Sequence, residues 1–136
     1  MNILIDVGHP GHVLLFRNAA RIWIGRGHKV IYAARDRKLV PELIEAYGFE
    51  YRIVSRARKS QLGLFCELIE HDWNLLKLVV DFRADILIGT SISITHVAKI
   101  HPSRSIIFNE DDIDYLKSTG EFFLNLMASK HNITLD

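Results

Sequence analysis

Short apolar runs that alternate with segments of helical periodicity are the feature that most limits how this chain can fold. The first run is Ile3–Val7, which ends at Gly8. A run of this kind is typical of a parallel strand, because helices cover both faces of a parallel sheet. Similar runs predict further strands over Lys29–Ala34, Glu50–Val54, Asp85–Gly89, Ser105–Phe108 and Asn132–Leu135.

The segments between these runs have the spacing of amphipathic helices. After the first run, Val13, Phe16, Ala20 and Trp23 recur at intervals of three or four. The other predicted helices are Arg37–Tyr47, a long helix after Gln61, Thr90 to about Ile100, and Asp114–Ser129. The buried stripe of the long helix is predicted to comprise Phe65, Leu68, Ile69, Leu76, Val79 and Val80. This alternation predicts an α/β fold, a Rossmann-like doubly wound parallel sheet of about six strands in three αβα layers.

Composition narrows the class of protein further. The 136 residues fit one domain over positions 1–136, and 49% of them are hydrophobic, enough for a packed core. A net charge of +1 argues against nucleic-acid binding. Cys66 is the sole cysteine, and no apolar run is long enough to span a bilayer. Because the N-terminus also lacks the pattern of a signal peptide, we expect a cytoplasmic protein without disulfides.

The predicted topology indicates where a ligand binds. In an open parallel sheet, ligands bind beyond the carboxyl ends of the strands, near the point where the strand order reverses. Five segments follow or end the predicted strands and form the candidate site: Gly8–His12, Arg35–Asp36, Ser55–Gln61, Thr90–Ser91 and Asn109–Asp112.

The first of these loops carries the most information. Gly8 and Gly11 are expected to allow a tight turn and a close approach of the backbone to a ligand. The helix that begins near His12 is expected to direct its N–H groups at an anion. The dinucleotide pattern G-x-G-x-x-G and the Walker pattern are both missing. A nicotinamide enzyme, with Asp36 at the ribose, is therefore the weaker alternative, and we expect no cofactor.

Two histidines of this loop are candidates for proton transfer, because imidazole titrates near neutral pH. We interpret His12 as an acid–base residue, whereas His9 fits either a functional or a capping role. No third ligand follows at a suitable spacing, so no metal site is predicted. His28 and His71 are expected at the surface or at the edge of the core.

Charged residues at two other strand ends complete the candidate site. Glu110 directly follows a predicted strand and is expected to point into the cleft, with Asn109 and Asp111 beside it. The loop that contains Lys59 is basic and suits either a phosphate or plain solvation. Three aromatic side chains at helical spacing are expected in the core or at an interface with a partner: Trp23, Phe65 and Trp73.

The opening motif resembles a known family. Asp6–Val13 has the sequence D-V-G-H-P-G-H-V, which is similar to the opening of an uncharacterised group of GT-B-like proteins. Pro10–Val13 resembles the G-G-H-V of the peptidoglycan N-acetylglucosaminyltransferases that form lipid II. Arg26–Val30 and Asp85–Gly89 resemble two further turns and strands of that family. Asn109–Asp112 aligns with its H-E-Q-N and keeps only the glutamate.

The resemblance implies the N-terminal, acceptor-binding half of a GT-B glycosyltransferase of polysaccharide biosynthesis. It implies a nucleotide-sugar or sugar-phosphate ligand and a second domain, without which the chain is expected to be inactive. The catalytic candidates are His12 and Glu110. The substrate-binding candidates are Gly8, His9, Gly11, Thr90, Ser91, Asn109, Asp111 and Lys59.

Other interpretations stay open at this point. UDP-N-acetylglucosamine 2-epimerases share the fold and also place a glutamate after this strand. A non-catalytic module that associates with itself is a further alternative. The expected protein partner is a second GT-B half or another copy of the chain, and the basic loop and aromatic residues also suit contact with a membrane surface.

Overall fold

The computed structural model of the chain describes residues 1–108, which form an α/β domain around one parallel sheet. The predicted last helix, the terminal strand and the acidic run 109–112 lie outside these residues. Each strand pairs in parallel with its neighbours, in the order β3-β2-β1-β4-β5. The elements are β1 (Asn2–Val7), α1 (Pro10–Gly25), β2 (Lys29–Asp36), α2 (Val40–Ala46), β3 (Tyr51–Arg56), α3 (Gln61–Phe82), β4 (Ile86–Gly89), α4 (Ile92–Ile100) and β5 (Arg104–Ile107).

Helices cover both faces of the sheet, which confirms the predicted three-layer architecture. On one face, α1 and α2 pack against Ile3, Ile5 and Tyr32 through a cluster that includes Phe16 and Ile44. On the other face, α3 and α4 pack against alternate residues of the same strands, in a cluster of Leu4, Ile31, Val54, Leu75, Leu78, Leu87 and Ile94. Because successive strand residues point to opposite faces, one continuous apolar run supplies both layers.

The strand order reverses at β1. The chain runs outward from β1 to β2 and β3, and then crosses to β4 and β5 on the other side of β1. The carboxyl ends of β1 and β4 therefore lie side by side, with Asp6 in register with Gly89. This is the switch point at which a ligand site is expected in an open α/β sheet.

Several element boundaries differ by a few residues from the predicted ones, and strand β2 extends to Asp36 rather than Ala34. Helix α2 begins at Val40 rather than near Arg37, because Leu39 has a left-handed φ of 74° and Pro41 occupies the first turn. Strand β3 extends to Arg56, so it includes the first residues of the predicted basic loop.

The predicted buried stripe of α3 is wrong in part. Phe65, Ile69 and Val80 are exposed, whereas Glu67 and His71 are buried together with Leu75, Leu78 and Val79. Both sides of this helix carry apolar residues at helical spacing, so periodicity alone does not distinguish the side that meets the sheet.

None of the helices within residues 1–108 combines the length and the hydropathy that a membrane-spanning helix needs.

A substitution at Gly89 tests how much the fold depends on the close approach of β1 and β4. A β-carbon at this position lies 2.5 Å from the carbonyl oxygen of Asp6 and 2.6 Å from Cδ1 of Ile94. We expect Gly89→Ala to lower the free energy of unfolding by roughly 2–3 kcal/mol, because a backbone atom cannot yield as a side chain does. Urea denaturation measures the change.

Gly25→Ala is the matched control, since a β-carbon there meets nothing within 4 Å. It is expected to be neutral or stabilising by up to about 1 kcal/mol, because alanine favours the helix. Equal destabilisation by the two substitutions would contradict the role of close strand approach.

Candidate functional site

A cavity of about 390 Å³ opens at the carboxyl ends of β1, β2 and β4, where the strand order reverses. It contains most of the site residues predicted for this edge within residues 1–108. The residues that line it are Asp6, Gly8, His9, His12, Arg35, Arg37, Leu64, Glu67, Leu68, His71, Thr90, Ser91, Ile92 and Ser93.

His12 bridges the two strands that meet at the switch point. Its Nδ1 accepts a hydrogen bond from the backbone N–H of Gly8 at 3.3 Å. Thr90 Oγ1 lies 3.0 Å from the same nitrogen. The two contacts hold the half-buried ring in one orientation beside the cavity. Thr90 is thus brought to the predicted site residues Gly8 and His12, although it lies 78 positions after His12.

His9 caps α1. Its Nδ1 accepts a hydrogen bond from the backbone N–H of Gly11 at 3.0 Å, so the capping role left open by the sequence is present. Gly11 and Gly8 do not have positive φ angles, so neither glycine is required there by a left-handed backbone. A β-carbon on Gly11 lies 3.2 Å from His9 Nδ1, so the glycine leaves space for the capping ring.

Ser91 occupies the N-cap position of α4, but its side chain does not cap the helix. Its hydroxyl donates a hydrogen bond to Oδ2 of Asp6 instead. The first turn of α4 thus borders the cavity at Ile92 and Ser93 without a side-chain cap. Uncapped N–H groups at a helix start favour negative charge nearby.

A buried polar network lies beneath the cavity, and the sequence interpretation missed it. His71 Nε2 lies 2.9 Å from Asp6 Oδ1, and His71 Nδ1 lies 2.6 Å from Ser55 Oγ. Asp6 and Ser55 are each 1% exposed, and His71 is 8% exposed. His71 therefore does not lie at the surface. The one signal available was a carboxylate inside the apolar run of β1, which requires a buried partner.

This network has the composition of a hydrolase triad but not its geometry. In a serine hydrolase the carboxylate orients Nδ1 and the serine meets Nε2, within reach of substrate. Here the two nitrogens are exchanged, and Ser55 does not line the cavity. The arrangement therefore holds a buried charge in place and supplies no nucleophile.

The charges of the network raise the pKa of His71. Burial, the largest single influence, disfavours the imidazolium and lowers the pKa, but the surrounding carboxylates together outweigh it, with the charge of Asp6 and its hydrogen bond foremost. Asp72 and Glu67 act in the same direction. His71 is thereby biased toward the charged form beside the cavity.

Two arginines bring positive charge to the cavity. Arg35 forms an ion pair with the buried Glu67, which also accepts a hydrogen bond from the backbone N–H of Arg58 at 3.1 Å. Arg37 lines the cavity as well. Lys59 is exposed and does not line the cavity. Gly11 does not line the cavity either. Glu110, Asn109 and Asp111 lie outside the described residues.

Comparison with solved structures identifies the fold. SsfS6, a glycosyltransferase of Streptomyces sp. SF2575, shares 17% identity at a TM-score of 0.63, over 98% of this chain and 47% of its own. MurG of Acinetobacter baumannii shares 12% sequence identity at a TM-score of 0.64, and the match covers 78% of this chain and 34% of MurG. The UDP-GlcNAc 2-epimerase of Neisseria meningitidis shares 10% sequence identity at a TM-score of 0.54, and the match covers 74% of this chain and 28% of the epimerase. No protein-family model and no curated protein matches the chain.

The chain has the Rossmann-like fold of a GT-B glycosyltransferase domain. The family resemblance predicted from the opening motif is thereby confirmed at the level of the fold. The chain spans less than half the length of each of the three proteins compared.

The Asp6–His71 pair makes stability depend on pH. Because folding raises the pKa of His71 from 6.5, its contribution is complete below pH 6.5 and is lost as pH rises through the folded-state value. We expect the free energy of unfolding to fall over that interval in the wild type, and to fall less in His71→Gln. Urea denaturation at a series of pH values measures both slopes.

His101→Gln provides the control, since His101 lies at the opposite edge of the sheet, before β5. It is expected to keep the wild-type slope. If the free energy of unfolding fell equally with pH in wild type and His71→Gln, a group other than His71 would be responsible for the pH dependence.

Proposed function

We propose that the chain is the acceptor-binding half of a GT-B-like glycosyltransferase. The observation that carries the proposal is the cavity at the β1–β4 switch point, where His12 is held against Thr90 on a glycosyltransferase fold. A sugar-transfer site needs a group that takes the proton of the acceptor hydroxyl as this oxygen bonds to the anomeric carbon, while the bond from that carbon to the phosphate oxygen breaks and the nucleoside diphosphate leaves. An oriented imidazole at a cavity suits that role.

His12 is the proposed acid–base residue. Its contacts with Gly8 and Thr90 fix the ring. Because Nδ1 accepts the hydrogen bond from Gly8, it is the unprotonated nitrogen of the neutral ring, and Nδ1 is therefore the atom proposed to take the proton of the acceptor hydroxyl. Orientation of this kind contributes to rate because the reacting groups need no further ordering. Thr90 is thus proposed as a substrate-side and orienting residue, with Glu110 as a second catalytic group.

The cavity also suits an anionic group, such as the diphosphate of an activated sugar or of a lipid-linked acceptor. Arg35 and Arg37 contribute positive charge, and the first turn of α4 borders the cavity without a side-chain cap. Gly8, His9 and Ser91 line the same space. Asn109, Asp111, Gly11 and Lys59 are proposed to complete or shape the acceptor side.

The donor is proposed to be a nucleotide sugar held by a second domain. SsfS6 has been crystallised with thymidine diphosphate, and the Neisseria epimerase with UDP-GlcNAc. The chain spans 47% of SsfS6, which fits one half of such a two-domain site. Activity then requires a second GT-B half, and the product belongs to polysaccharide biosynthesis.

An epimerase half is the second candidate, because the chain also shares its fold with UDP-GlcNAc 2-epimerase at a TM-score of 0.54. The two activities differ in their need for an acceptor. Epimerisation of UDP-N-acetylglucosamine proceeds without one, whereas glycosyl transfer does not. Product analysis with and without acceptor distinguishes them.

The experiment is reconstitution with a nucleotide-sugar half that co-purifies with this chain. We expect glycosyl transfer by the pair, and His12→Ala is expected to lower kcat on the order of 10²–10⁴-fold, as for loss of a general acid–base group. The folded state of the variant is checked by circular dichroism and urea denaturation.

His101→Ala is the control, because this histidine lies at the amino-end edge of the sheet. It is expected to retain activity. Full activity of His12→Ala in the reconstituted pair would remove His12 from the mechanism, and turnover by the isolated chain would contradict the half-enzyme.

A further inference from the structure

The outward face of α3 is apolar along almost its whole length. Leu62, Phe65, Ile69, Trp73 and Val80 are between 53% and 75% exposed. Their spacing of three, four, four and seven residues places them on one side of the helix, and half-buried Leu76 fills the gap in the series. These six residues are called the α3 stripe. No described residue covers it.

A helix on the surface of a domain ordinarily buries one apolar face and presents a polar one. The inner side of α3 already packs on the sheet through Leu75, Leu78 and Val79. The α3 stripe is therefore a second packing surface on the same helix. With a phenylalanine and a tryptophan in it, the stripe exposes on the order of 500 Å² of apolar side chain, enough to mark an interaction site.

We propose that the α3 stripe binds a second copy of this chain, with the two α3 helices antiparallel. The stripe is complementary to itself about a two-fold axis at Trp73. In that register Trp73 meets Trp73 of the second copy. Ile69 then lies within one residue, about 1.5 Å along the helix axis, of Leu76, and Phe65 lies within one residue of Val80. Each large apolar side chain of the central turns thus faces another, as an isologous interface requires.

The charges beside the stripe favour the antiparallel direction. Glu70 and Lys77 lie on the same flank of α3. At 100° per residue, their side chains leave the helix in directions only about 20° apart. In the antiparallel register, Glu70 of one copy lies opposite Lys77 of the other, and the two-fold axis makes this pair twice. In a parallel two-fold pair, this flank of one helix lies on the opposite side of the interface from the same flank of the other helix, so Glu70 and Lys77 form no pair between the copies.

The charged groups on this surface keep their own contacts within the chain. Lys77 Nζ lies 5.9 Å from the centre of the Trp73 ring, and Glu70 accepts a hydrogen bond from Arg58 at 3.1 Å. Glu70 and Asp81 flank the stripe with negative charge. The carboxylate of Glu70 suits Lys77 of a second copy.

The proposed interface leaves the cavity open. The cavity meets α3 through Leu64, Glu67, Leu68 and His71, which lie on the side of the helix turned away from the stripe. Association and the proposed glycosyl transfer are therefore separate properties, and each can fail without the other.

Sedimentation equilibrium of the full chain tests the proposal. We expect a species of about 31 kDa, twice the 15.6 kDa of one chain, to form as the concentration rises to about 0.5 mM. Trp73→Glu is expected to abolish it. Ile100→Glu, at a position that is 73% exposed on α4, is expected to leave it intact.

A charge exchange tests the direction of the helices. Glu70→Lys and Lys77→Glu are each expected to weaken association on the order of tenfold, because each creates two like-charge pairs. The double variant is expected to restore wild-type association. If the helices paired in parallel, the double variant and both single variants would associate with the same affinity.

Two outcomes overturn the proposal. One is a chain that stays monomeric throughout the concentration range. The other is a monomer that sediments with vesicles of phosphatidylcholine and phosphatidylserine and loses this property in Trp73→Glu, which would assign the stripe to lipid. Unchanged circular dichroism of Trp73→Glu shows that loss of association does not reflect unfolding.

Discussion

The carboxylate of Asp6, buried at the end of β1, is the interaction on which the site depends. A buried charge without partners is too costly to persist, and here His71 and Ser91 supply them. Through these contacts the end of the central strand is tied to α3 and to the start of α4, and through His71 to Ser55 of β3. Gly89 allows the approach, because its missing β-carbon leaves room for the backbone of Asp6.

This arrangement also explains the character of the cavity above it. Because the Ser91 hydroxyl is used by Asp6, it is not available to cap α4, and the first turn of that helix borders the cavity. Glu67 similarly engages Arg35, so the positive charge at the β2 end is partly balanced from α3. Only Arg37 among the arginines that line the cavity lacks such a buried acidic partner in the described part of the chain. The preference proposed for an anionic ligand thus arises from the way a buried acid is satisfied.

The sequence predicted the fold well because parallel strands leave a strong local pattern. Runs such as Ile3–Val7 identify the strands, and the rule for switch points then places Gly8, His12 and Thr90 at one edge. The position of His71 was not predictable in the same way. Its burial depends on Asp6, which is 65 positions away. The carboxylate in the apolar run of β1 indicates that a buried partner exists, but nothing in the local sequence identifies His71 as that partner. The side of α3 that meets the sheet was missed for a related reason, since apolar residues occur on both sides of the helix.

Helix α3 therefore reverses the usual arrangement of an amphipathic helix near its N-terminal half. Glu67 and His71 turn inward, where the network of Asp6 satisfies them, while Phe65 and Ile69 turn outward. The inward charges are needed at the cavity, and the outward apolar residues remain without a described partner. If a second copy covers them, association stabilises the helix that carries His71, because a partner that binds only the folded chain shifts the folding equilibrium. Stability of the cavity floor then depends on protein concentration even though the interface lies on the opposite side of α3.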